Sequence, residues 1–143
     1  MLYQMTVKTY LAAANDARQK YRLFAEEYKQ AEAEIYGPRA IRYGVKVKQT
    51  PNNDKMIDDI ERLQTLKARE LAAFCEYIEA AQRLESEILA LPYTVATEIL
   101  IEKYINGATL TEAARTLDLS TAYTIRQHGR GLQMFAEQYG LEQ

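Results

Sequence analysis

The residues best equipped for chemistry are Arg126 and Arg130, one helical turn apart near the end of a 143-residue chain. A guanidinium can bond a guanine edge through two parallel hydrogen bonds, or clamp a phosphate. Thr121 adds a weaker hydroxyl donor, and Ala122 and Ile125 offer the apolar contact that a thymine methyl accepts, with Tyr123 among them. Other chemistry is sparse. The single His128 and the single Cys75 are too few and too far apart for a four-ligand zinc set. Cys75 lies beside Glu76 and Glu79, which oppose thiolate formation, so it reads as an inert helix residue. The acid pairs Glu26-Glu27 and Asp58-Asp59 point in different directions on a helix and read as solvated faces. No phosphate-cradling glycine loop or nucleophile elbow occurs. The residues point away from an enzyme and imply neither metal nor cofactor.

Two short helices joined by a tight turn must position these side chains. Thr109 and Glu112 form a T-x-x-E capping box, and Leu110, Ala113, Ala114 and Leu117 then make one apolar face. Asp118-Leu119-Ser120 breaks that helix, and Ser120 is suited to cap the next. Small Ala113 and Ala114 permit the close approach that two steeply crossing helices need. In the second helix Leu119, Thr124, His128 and Leu132 take the inner side, which leaves Thr121 to Arg126 as exposed leading turns. His128 is then a half-buried packing residue, and Arg130 sits where a backbone phosphate would pass. This is the pattern of a helix-turn-helix, whose second helix can enter a DNA major groove.

The rest of the chain is also helical. Val7, Ala14, Tyr21, Tyr28 and Ile35 fall seven apart, and Tyr10, Ala17, Phe24 and Ala31 fill a second seam. Gly37-Pro38 ends this helix. The stretch 37–53 reads as a mobile basic loop in which Arg39, Arg42, Lys46 and Lys48 can meet a phosphate backbone, or simply be solvated. A second long helix follows, with an apolar face of Met56, Ile60, Leu63, Leu71, Phe74, Ile78, Ala81, Leu84, Ile88 and Leu91. Lys67 and Glu70 interrupt that face, which predicts a stutter or bend. Pro92 suits the first turn of a third helix, which Asn106-Gly107 ends. The expected helices are 6–36, 54–91, 93–105, 110–117 and 120–138. The fold class is all-α: a long antiparallel helical hairpin over 1–91, then a three-helix helix-turn-helix head over 92–143. The Tyr/Ala/Phe seam can serve as hairpin core and as oligomer seam at once, so a homo-oligomer is expected.

Charge is distributed unevenly. The formal net charge is −2. Residues 1–36 carry five bases and five acids, 37–53 four bases and no acid, 54–91 five bases and nine acids, and 92–143 four bases and six acids. The head is not basic as a whole, so one copy should bind DNA weakly and with strong salt dependence. No window has the apolar length of a membrane span, and the N-terminus lacks a signal-peptide layout. A lone cysteine fits a reducing cytoplasm.

Residues 99–132 resemble region 4 of bacterial sigma factors, where T-L-x-E-x-A-x-x-L-G-hydrophobic-S precedes the recognition helix. The whole chain is similar to the sigma-like regulators of Gram-positive phages and prophages related to the ArpU and RinA late-transcription activators. The shared features are Tyr10-Leu11, Pro51-Asn52-Asn53, Lys103-Tyr104-Ile105, and a closing run of Arg126, His128, Gly129, Arg130 and Leu132. Asp118 stands where that pattern usually has glycine, and Asp accepts left-handed backbone better than most residues. The resemblance implies a phage-type transcriptional regulator, an activator of late genes in role, that reads double-stranded DNA with Thr121, Ala122, Ile125 and Arg126. A protein-interaction module touching RNA polymerase or another regulator is the alternative.

Overall fold

A computed structural model of the chain describes residues 5–37 and 53–143. The basic stretch with Arg39, Arg42, Lys46 and Lys48 lies outside the described residues. Helix α1 spans Val7–Tyr36 and α2 spans Asn53–Leu89. A short α3, Val95–Leu100, continues into a π-helical turn, Ile101–Ile105, and is followed by α4, Leu110–Thr116, and α5, Thr121–Tyr139. Among the described residues there is no strand, only one bridge between Thr6 and Glu142. The chain is all-α. It forms two compact units, Arg18–Glu76 and the remainder.

In the unit Arg18–Glu76, α1 and α2 run antiparallel. Three ion pairs set their register: Lys20 with Glu76 at 3.2 Å, Glu27 with Arg69, and Glu34 with Arg62 at 3.3 Å. The partners step by seven residues along both helices, as coiled-coil flanking charges do. All six side chains are well exposed, so each pair contributes little stability, roughly 0.2–1 kcal/mol, and serves mainly to select one register. The seam expected on α1 is present, with Tyr21, Phe24, Tyr28, Ala31 and Ile35 all buried or half-buried.

The seam expected on α2 is corrected in part: Leu63, Leu84, Ile88 and Leu91 are buried as expected, and four other residues are not. The residues facing inward in this unit are Leu63, Leu66, Glu70 and Ala73, an unbroken heptad row with no stutter between Leu63 and Ala73. Met56, Ile60, Leu71 and Phe74 are instead exposed, Met56 at 62%. Glu70 is tolerated in the seam because Lys67 Nζ lies 3.3 Å from its carboxylate and 4.7 Å from the Tyr28 ring centroid. A charge can therefore occupy a core register position without shifting the helix.

The second unit is built around Val7, Leu11, Ala14, Leu84, Ile88, Leu91, Leu100, Tyr104, Phe135 and Ala136. The boundary at 91/92 read from the sequence is therefore displaced, because the first turns of α1 and the last turns of α2 share one core with the head. Tyr10 and Tyr139 both donate to Glu87, the first to its carboxylate at 2.5 Å and the second to its carbonyl at 2.7 Å. That ties α1, α2 and α5 together at one residue. Helix α3 starts later than expected, capped by Thr94, whose N–H donates to Thr97 Oγ1 at 3.2 Å. The buried Thr97 hydroxyl in turn donates to the Pro92 carbonyl at 2.9 Å, which holds Pro92 and Tyr93 outside the helix.

Candidate nucleic-acid interface

The helix-turn-helix is assembled from local backbone chemistry. Thr109 Oγ1 accepts from the Glu112 N–H at 3.1 Å and donates to the Glu112 carboxylate at 3.2 Å, closing the start of α4. At its end Asp118 takes the left-handed conformation with φ 57°. The Leu119 N–H then reaches the Ala114 carbonyl at 2.8 Å and the Asp118 N–H the Arg115 carbonyl at 3.3 Å, the Schellman pattern that satisfies the last carbonyls of a helix. One residue further, Ser120 Oγ accepts from the Tyr123 N–H at 3.2 Å and starts α5. The turn is thus closed by hydrogen bonds on both sides, and the direction in which α5 leaves α4 follows from them.

Packing decides which side of α5 faces out. Thr124, His128, Gly131, Phe135 and Ala136 are buried, and Ala113 and Ala114 of α4 are buried as well. Gly131 lies where α5 comes closest to α3: a Cβ there would stand 3.1 Å from Leu100 Cγ and 3.2 Å from the Ala96 carbonyl oxygen. His128 is only 8% exposed, bonded through Nε2 to Tyr104 Oη at 2.8 Å and stacked on that ring. Burial, with Lys103 and Lys8 adding like charge, pulls the imidazole down to about 4. Burial likewise pushes the Tyr104 phenol up to about 12. Both groups are neutral and structural.

The outward face collects most of the residues singled out above. Thr121, Ala122, Ile125, Arg126 and Arg130 are all exposed, Ile125 at 54%. Arg126 and Arg130 make no ion pair among the described residues. Tyr123 differs, being half-buried, with the Arg126 guanidinium 5.9 Å from its ring centroid. It can steady Arg126 more readily than it can reach a base. Gly129, which the sequence placed in the closing run without a role of its own, is exposed between Arg126 and Arg130 and has open space around it, so the backbone there can approach a large partner closely. Sequence reasoning overlooked the Tyr104–His128 bond because residues 24 apart in sequence meet only through packing. No family model, curated protein or solved structure matches the chain.

Proposed function

We propose that this chain is a DNA-binding transcriptional regulator of phage or prophage type, working in the cytoplasm and reading double-stranded DNA with α5. The carrying observation is the division of α5 into a packed inner side and an exposed row of Thr121, Ala122, Ile125, Arg126 and Arg130. In the major groove Arg126 bonds a guanine edge, Ala122 and Ile125 touch thymine methyls, and Arg130 holds a phosphate. Mobility shifts on promoter fragments from the surrounding genome test this reading. Arg126→Ala should cost about 1–3 kcal/mol at one operator position. Arg130→Ala should weaken all sequences alike and lower the salt slope by about one unit. Parent-like binding by both variants would refute it.

A second reading is favoured by Ile125. A large apolar side chain, 54% exposed at the centre of the row, is also what a protein partner such as RNA polymerase would cover. On that reading Ile125→Ala loses the protein partner and leaves DNA affinity unchanged.

A further inference from the structure

The three ion pairs lie on one flank of the helical pair in the unit Arg18–Glu76. Continuing the heptads around α2 places Ile57, Ile60, Gln64, Lys67, Leu71 and Phe74 on the opposite flank, spaced three, four, three, four and three. All six are exposed, and Leu71 is 52% open to solvent. The row reads the same from either end: two apolar residues, two polar, two apolar. An antiparallel copy of the row meets it without mismatch. Ile57 then faces Phe74 of the second copy, Ile60 faces Leu71, and Gln64 faces Lys67, about an axis between Thr65 and Leu66.

Charge on this flank complements the same arrangement. Lys67 does not carry a free ammonium across, since Glu70 and the Tyr28 ring hold it on its own copy. Arg22 and Lys29 of α1 lie on this flank, exposed and without an ion pair among the described residues. In the register set by the three ion pairs they stand level with Phe74 and Lys67. The exposed Glu32 of the second copy, on the same flank of its α1, falls level with Lys29. The Tyr/Ala/Phe seam is already spent inside the pair, so it is not the surface that joins copies.

We propose that a second copy of this chain docks on the Ile57–Phe74 row of α2 in a two-fold antiparallel pairing. This assembly is independent of whether α5 reads DNA. Light scattering at high micromolar concentration tests it, with the parent expected at twice the 16.4 kDa of one chain. Leu71→Lys should return the single-chain mass while keeping its helical circular dichroism. Leu23→Lys, at a position 57% exposed but on the ion-pair flank, should keep the parent's mass. Glu32→Lys should weaken association at least tenfold, and adding Lys29→Glu should restore it. A monomeric parent, a dimeric Leu71→Lys or a monomeric Leu23→Lys would overturn the proposal.

Discussion

Gly129 and Gly131 stand two residues apart on α5 and are constrained in opposite ways. A Cβ at Gly129 would meet nothing within 4 Å, so this glycine spends helix stability without a packing return. Gly129→Ala should therefore raise stability by about 0.5–1 kcal/mol in urea unfolding. At Gly131 the added carbon presses on the Ala96 carbonyl, which is backbone and cannot swing away. Gly131→Ala should fall at least about 1 kcal/mol below Gly129→Ala, and equal stabilities would contradict the close approach of α5 to α3. His128 gives a pH test. Its folded value of about 4 lies below the ordinary 6.5, so below pH 6.5 the unfolded chain takes up a proton that the native chain refuses. Its contribution is whole above pH 6.5 and is lost as pH falls from there toward 4. Between pH 7 and pH 5 the parent should lose about 1–2 kcal/mol more than His128→Gln, which keeps a hydrogen-bonding partner for Tyr104 without titrating. Identical losses would mean that His128 is not buried neutral.

Among the elements, α1, α4 and α5 are legible from residue types alone, and α2 is legible only in extent. Every large apolar residue expected on the α1 seam falls on one heptad, so periodicity and packing agree. Both caps of the helix-turn-helix and its left-handed Asp118 follow from side chains that bond their own backbone, a local effect that sequence carries well. On α2 the strongest local signals, Leu71 and Phe74, belong to a second face, while Glu70 and Ala73 occupy the seam. Hydrophobicity read on one helix cannot tell two apolar faces from one bent face; only the partner helix separates them. The π-helical turn after α3 was equally invisible, since an i→i+5 bond such as Asn106 N–H to the Ile101 carbonyl, 3.1 Å, leaves no compositional mark. The corrected register predicts that Ala73→Leu overfills the seam and costs about 1–3 kcal/mol. Met56→Ala, expected in the core from sequence but exposed in the fold, should change stability by no more than about 0.5 kcal/mol. Thermal unfolding with the reverse ranking would restore the stuttered register.

At the scale of the whole molecule the difficulty is charge. A chain of net charge −2 whose last 52 residues hold four bases and six acids cannot grip DNA by its general field. Under the proposed function affinity would come from a few placed contacts, of which Arg126 and Arg130 would supply only two strong ones per copy. The proposed pairing of two copies through α2 would change that without adding a contact, because the second head would then bind at the effective concentration set by the first. A fragment with two operator copies at a permitted spacing should bind the parent roughly 10²–10⁴-fold tighter than a fragment with one. Leu71→Lys should bind both fragments alike, at the parent's one-copy affinity, because its reading face is untouched. The salt dependence should follow, with the parent on two copies showing about twice the slope of Leu71→Lys, as twice the phosphates are neutralised. Mobility shifts across a salt series measure both quantities. A parent with no two-copy advantage would mean that each head acts alone, and the affinity of this weakly charged chain would then have to come from another protein at the promoter.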